Sequence, residues 1–442
     1  MGHDGTVVPD ERRSQNWRTR AQRLADDAAG VAGPIWNDRR IGSVAAVGAG
    51  ALWGAPAGWW TPRGPLTTGQ AIWSIVVSLA VGATAGIIVR SRWAMLATPV
   101  AFAAVFELVR AGTDGPTVDR ISTSTYGLIA FVVGRGFHAL ISLLPMAYGA
   151  SLGAGIARQL APASSGTMHS RRWWLYTKRG SAVLAGIGLL AFTVMLARPA
   201  STDPIVDADG NRIPGSIAEL TTVDVNGHDL TMLIRGHSVD NPVLLFLAGG
   251  PGGSEMGAMR RHVPELEEHF TVVTWDQRGT GHAYGQLDPT DTLTLDSAID
   301  DTLAVETALA NEQDVYTYDH SPNSEGQGQM SENLFVEEYA LIDQIHILGG
   351  FMDTFSVLYP QLQDIDFRET ATDLEIPMFF VQGALEADGR ADVFADWYPM
   401  VDAPIKDLVV LDTSGHRPLF EQPDEFVEYM TNTVLARTAD TD

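Results

Sequence analysis

Residues Pro242–Leu247 (PVLLFL) run without a break into Ala248-Gly249-Gly250-Pro251-Gly252-Gly253. An unbroken apolar run of this length reads as a strand covered on both faces. The glycines behind it read as a turn whose backbone N–H groups can approach a ligand without side-chain interference. Donors placed in this way stabilise an oxyanion during acyl transfer. An ordinary tight turn uses the same residues, so the meaning of the stretch depends on its surroundings.

Upstream, Thr221–Val225, an Asn226-Gly227 turn and Leu230–Arg235 read as a hairpin. Downstream, a second buried run, Phe270–Thr274, leads into Trp275-Asp276-Gln277-Arg278-Gly279-Thr280-Gly281. A helical stretch follows over Ser297–Ala310. Later come Pro377–Val381 before Gly383, and Leu408–Leu411 before Asp412-Thr413-Ser414-Gly415-His416. Strands alternating with helices predict a mostly parallel sheet with helices on both faces.

In this order, AGGPGG, WDQRGTG and the terminal SGHRPLFEQPDEF resemble the HGGPG, DQRGxGxS and histidine-bearing segments of proline iminopeptidases and related serine aminopeptidases (peptidase family S33). The resemblance covers about residues 215 to 436, roughly half the chain. It implies an α/β-hydrolase fold that removes an N-terminal residue, often proline, from peptides through a Ser–His–acid triad, without cofactor or metal. Carried over by position, His416 is the general base. Glu386, in Gly383-Ala384-Leu385-Glu386, falls where the family's Gly-x-x-Asp has its acid, with Asp388 as the alternative two residues on. Gly249 and Gly250 fall in the oxyanion turn. Two positions depart from the motifs: Ala248 stands for the histidine and Ala283 for the serine. Residues 330–370 resemble the family's cap, where Glu337 and Glu338 read either as carboxylates for a substrate's α-ammonium or as an exposed pair on a helix.

The nucleophile departs further. A hydrolase of this kind carries Gly-x-Ser-x-Gly on a sharp strand-to-helix turn, and no such pentapeptide occurs in 282–385. The one substitute is Ser321, in Asp319-His320-Ser321-Pro322-Asn323 after the strand-like Val315–Tyr318. Asp319 and Asn323 replace both glycines, and Pro322 has no N–H to give the oxyanion. Losing one such donor costs on the order of 10²–10³ in rate. The segment reads as a deletion of a central strand, which predicts exposed edges on its neighbours.

Charge divides the chain. Residues 1–200 hold 19 Lys+Arg and 9 Asp+Glu, whereas the remainder holds 10 and 45. An acidic half of this kind repels nucleic acid. With no cysteine there is no thiol nucleophile and no Cys-ligated zinc. Five apolar stretches, about 41–60, 71–89, 93–109, 126–157 and 181–197, have lengths suited to crossing a bilayer. The fourth, with Arg135 and His138, reads as one kinked helix or two short spans. Gly50/Gly54 and Gly149/Gly153 have the spacing of close helix contacts.

The expected organisation is a basic cytoplasmic segment (1–40), transmembrane helices (41–197), a linker (198–214), and a first hydrolase part (215–310). A linker and cap remnant (311–370) and a second hydrolase part (371–437) complete it. The arginines at 12, 13, 18, 20, 23, 39 and 40, at 90 and 92, and the cluster Arg171, Arg172, Lys178 and Arg179 mark inside loops. That places the hydrolase part outside the cytoplasm. The expected partners are the lipid bilayer and a peptide or a small amide or ester. Two functions compete: an exported membrane-anchored aminopeptidase impaired at its nucleophile, and an inactive hydrolase-like domain serving as a binding or regulatory module.

Overall fold

The computed structural model describes residues 38–113, 125–160, 172–287, 290–309, 333, 335–362 and 365–438. They fall into two compact units: Met1–Pro62, Gly69–Gly112 and His138–Thr193 in one, and Arg63–Thr68, Thr113–Phe137 and Val194–Asp442 in the other.

The first unit is helical. Its helices are α1 (Arg39–Trp60), α2 (Thr68–Val89), α3 (Ala94–Arg110), α4 (Thr125–Leu160) from His138 onward, and most of α5 (Arg172–Leu196). Four contain segments long and apolar enough to cross a membrane: Arg40–Trp60, Thr68–Val89, Leu128–Arg158 and Arg179–Leu196. The remaining helix, α3, has 17 residues, the lower limit for a span. The fourth apolar stretch is a single helix with Pro145 inside it. Glycine sets how near the helices approach. A Cβ at Gly54 would come within 2.7 Å of the Phe102 carbonyl oxygen, and one at Gly149 would overlap the Leu79 carbonyl. Both glycine pairs therefore serve backbone contact between helices. His138 is buried, with Nε2 3.2 Å from Thr61 Oγ1 and its ring 4.4 Å from that of Phe106. It is a helix-contact residue.

In the second unit, β1 (Ile217–Val225) and β2 (His228–Gly236) form an antiparallel hairpin. The Asn226-Gly227 turn takes φ of 53° and 82°, values that asparagine and glycine tolerate best. β2 pairs antiparallel with β4 (Thr271–Trp275), which pairs parallel with β3 (Val243–Phe246), so the order is β1-β2-β4-β3. A separate parallel pair joins β5 (Met378–Gly383) to β6 (Lys406–Leu411). The longer helices are α6 (Met256–His262), α7 (Leu295–Leu309), α8 (Leu341–Leu362), α9 (Asp388–Trp397) and α10 (Pro423–Tyr429).

β4 is buried at every position, and alternation along it serves two cores. Val273 and Trp275 pack with Leu230, Leu245 and Val305 of α7, whereas Val272 packs with Met259 of α6 and Phe420. Coverage of both faces explains the absence of polar alternation in this strand. The unit is an α/β fold in two sheet pieces, which remain unjoined among the described residues.

The Asp-Gln-Arg motif ties these parts together. Arg278 Nη2 lies 3.0 Å from Asp301 Oδ2 on α7, with both side chains 5% exposed. Its Nη1 is 2.9 Å from His228 Nε2, and Asn226 Nδ2 donates to Asp301 Oδ1 at 2.9 Å. Gln277 Nε2 donates to the Ala248 carbonyl at 3.1 Å, linking the motif to the glycine turn.

Candidate functional site

The site begins where β5 and β6 end side by side. Gly383 closes β5, and a Cβ there would overlap the Ser414 and Gly415 carbonyls. Only glycine permits that approach. Ala384 N–H donates to the Leu411 carbonyl at 2.8 Å and Leu385 N–H to that of Ser414 at 2.9 Å. The two loops are thus laced together directly before the residues that matter.

Beyond this lacing, His416 Nδ1 lies 2.9 Å from Glu386 Oε2, with the side chains 2% and 5% exposed. A carboxylate can only accept, so Nδ1–H is the donor, and the neutral ring carries its acceptor at Nε2. A base that takes a hydroxyl proton needs this tautomer. Glu386 is itself oriented, because Oε1 receives the Ala387 N–H at 2.7 Å and Arg390 Nε at 3.0 Å. Asp388 is exposed at the start of α9. The structure therefore brings Glu386, and not Asp388, to the histidine.

Two further residues shape the histidine loop, and the sequence reading missed both. Glu421 accepts the Gly415 N–H at 2.8 Å and the Arg417 N–H at 3.1 Å, one on either side of His416. Gln422 Oε1 accepts the Thr413 N–H at 2.9 Å and Ser414 Oγ at 2.7 Å. Buried backbone donors require acceptors. A loop entering a core, followed within one turn by Glu-Gln, was the available signal.

At the glycine turn, Gly250 and Gly252 have φ of 136° and 97°, the region that favours glycine. The Gly253 N–H donates to the Gly249 carbonyl at 2.8 Å. Glu255 follows the turn and pairs with Arg417, the residue after His416. Burial raises the Glu255 carboxyl above its ordinary value, while Arg417 and a hydrogen bond from the Gly249 backbone pull the other way. The pair ties the glycine turn to the histidine loop. Ser321 lies outside the described residues.

The two cap glutamates are not an exposed pair on a helix. They lie in turns, and Glu338 is fully buried against Arg260 Nε at 2.8 Å and Thr202 Oγ1 at 3.1 Å. Glu337 meets Arg198 at 3.3 Å. Glu338 is thus committed to a cation inside the protein, whereas Glu337 and Arg198 form a surface pair.

A second cluster gathers around Asp276. Tyr339 donates its hydroxyl to Oδ1 at 2.7 Å, and His282 supplies its N–H at 2.9 Å and Nδ1 at 2.8 Å to Oδ2. His282 Nε2 faces Asp343 Oδ2 at 3.5 Å. Burial alone would lower the His282 pKa. The hydrogen bond and charge of Asp276, with the charge of Asp343, outweigh it and raise the value above 6.5. A histidine whose folded pKa exceeds its unfolded one contributes stability that is complete below the unfolded value and lost as pH rises through the folded one. Burial also raises the Asp343 pKa, against the pull of His282, which adds a loss of the same sign as that carboxyl ionises. Thermal stability of the full chain is therefore expected to fall as pH rises above about 6.5. His282→Gln is expected to flatten that slope, and melting curves at each pH provide the check.

No family's sequence model matches the chain. Over 90 residues it is 41% identical to the probable aminopeptidase YbaC of Bacillus subtilis (strain 168), a stretch covering 20% of this chain and 28% of that protein. The chain thus spans well under a third of that relative's length. Among solved structures, a membrane phospholipase A is similar at 17% identity and a TM-score of 0.37, over 61% of this chain and 99% of that one. A proline iminopeptidase-related protein from Thermus thermophilus is similar at 19% identity and a TM-score of 0.35, over 50% and 98%.

Proposed function

We propose that this chain is a multi-pass membrane-anchored serine hydrolase of the proline iminopeptidase type, which removes N-terminal residues from peptides outside the cytoplasm. The observation that carries the reading is the buried hydrogen bond from His416 Nδ1 to Glu386 Oε2. It leaves the ring in the tautomer a general base uses, at the loop where the S33 resemblance puts the catalytic histidine. The aminopeptidase similarity over 90 residues supports the same class. The apolar helices support the membrane anchor, and the basic clusters flanking them support an N-terminus inside and a hydrolase unit outside. In the reaction, His416 takes the proton of the serine hydroxyl as it attacks the scissile carbonyl, and returns it to the leaving amine. Glu386 holds the ring and stabilises its charged form. Ser321 is the candidate nucleophile, working with impaired oxyanion stabilisation because Pro322 follows it.

The second reading, an inactive hydrolase-like module, is favoured by the absence of Gly-x-Ser-x-Gly between residues 282 and 385. Fluorophosphonate labelling of membranes carrying the full chain, with the modified peptide mapped by mass spectrometry, separates the two. Labelling at Ser321 that disappears in His416→Ala is the expected result. Absence of labelling in protein that resists proteolysis would leave the binding module standing.

A further inference from the structure

The stretch Thr61-Pro62-Arg63-Gly64-Pro65-Leu66-Thr67 joins α1 to α2, yet Arg63–Thr68 belongs to the second compact unit. Its composition makes it stiff. Pro62 and Pro65 fix their own φ, and Gly64 takes a φ of 91°, which favours glycine. The Pro62 carbonyl accepts from Arg110 Nη1 of α3 at 3.3 Å, within the helical unit. From the next residue onward the chain is held by α8 and its neighbours. Arg63 Nη1 lies 3.7 Å from Asp353 Oδ2, with the side chains 3% and 0% exposed. The Tyr284 hydroxyl donates to the same oxygen at 2.9 Å. The Pro65 carbonyl can only accept, so His346 donates to it through Nε2–H at 2.8 Å. Leu66 packs on Tyr284, Leu287, Leu293 and Leu358. These holds spread from His346 to Leu358, about three turns of helix.

The same helix carries the candidate site on its surface. A Cβ at Gly252 would come within 3.1 Å of Phe351 Cα and of Thr354 Cβ, so the glycine turn after β3 rests on α8. Thr354 Oγ1 donates to the Gly279 carbonyl at 3.0 Å, and a Cβ at Gly350 would come within 2.5 Å of that oxygen. The turn after β4 therefore rests there too. Asp353, which Arg63 meets, is the neighbour of Thr354. Close-packed interiors transmit a displacement, so whatever fixes α8 fixes both turns. We propose that residues 61–67 are a strap by which α1 and α2 hold α8 against the two glycine turns, so that these helices shape the candidate site as well as carrying it. The inference does not depend on the hydrolytic reading, since both turns rest on α8 whether or not His416 acts as a base.

Hydrogen–deuterium exchange of the full-length chain in lipid nanodiscs tests the strap, read by mass spectrometry on peptides covering α8, the 249–255 turn, β5 and β6. Arg63→Met leaves the buried Asp353 without its cation. Exchange in α8 and in the 249–255 turn is expected to rise at least about tenfold through local opening, with β5 and β6 unchanged. Arg63→Lys keeps a cation beside Asp353 and is expected to retain most of the protection. Leu66→Ala removes a contact of the loop and leaves every charge in place; the same two segments are expected to open, by less. Should Arg63→Met unfold the unit, Leu66→Ala decides alone. Unchanged exchange in α8 would overturn the strap, and so would a rise spread evenly over β5 and β6, the mark of general loosening. Opening of α8 with the 249–255 turn still protected would overturn its link to the site.

Discussion

Glu386→Gln is expected to lower kcat/KM for a proline aryl amide by about 10²–10⁴-fold, the range for a general acid–base system put out of order. Glutamine keeps the size of the side chain and can still occupy the space beside His416. Its amide, however, can present a donor to Nδ1, which favours the tautomer with the proton on Nε2 and removes the base. KM is expected to change little, because the carboxylate lies behind the histidine, away from where a substrate would bind. Asp388→Asn serves as the control: it is exposed at the start of α9, and a change within about twofold is expected from a surface substitution of this kind. Steady-state hydrolysis by membranes containing each full-length variant reads both. A large loss in Asp388→Asn with none in Glu386→Gln would show that the acid had been misassigned.

The largest effect on stability is expected at Asp301. Its carboxylate and the Arg278 guanidinium are each 5% exposed and 3.0 Å apart. Removing the acid alone leaves a buried cation unpartnered by its carboxylate, at a cost of about 3–5 kcal/mol. The loss reaches beyond one pair, because Asp301 also accepts from Asn226 in the hairpin turn. Urea titration with pulse proteolysis, followed through a C-terminal tag, measures it on the intact chain. The double variant Asp301→Ala/Arg278→Met is expected to recover much of the loss, since replacing a whole buried pair by apolar groups is often close to neutral. No recovery in the double variant would mean that the hairpin contact, and not the stranded charge, accounts for the effect.

How far the sequence can be read depends on how local the cause is. The Asn226-Gly227 turn, the apolar run of β3 and the glycine-rich stretch after it are set by neighbours in the chain. The structure finds the hairpin and all four later strands close to where these patterns put them. The later strands shift by a residue or two at their ends, whereas the hairpin strands come out four and three residues longer than read, as hydrogen-bonding partners on adjacent strands extend them. Glu338 was misread because its surroundings come from far away: Arg260 and Thr202 hold it, and neither has any sequence relation to it. Glu421 and Gln422 escaped notice for a related reason. Their function is to accept N–H groups from a loop whose burial becomes apparent only once the core is assembled.

By itself, the sequence determined the division of the chain into an apolar, basic half and an acidic half, the order of strands and turns in the second, and the absence of a Gly-x-Ser-x-Gly pentapeptide between residues 282 and 385. Those are properties of composition, period and short motifs, all of which act over a few residues. Only the tertiary structure decided which carboxylate meets His416. Glu386 and Asp388 are two residues apart and chemically alike, and the choice rests on Gly383 lying against the Ser414 and Gly415 carbonyls, which turns the loop so that Glu386 faces the ring. The structure also decided which edges of the two sheet pieces face each other among the described residues, β3 and β5, with an apolar cavity between them. Which two edges face each other across a gap depends on how the sheet pieces pack, and that follows from contacts between residues more than a hundred positions apart.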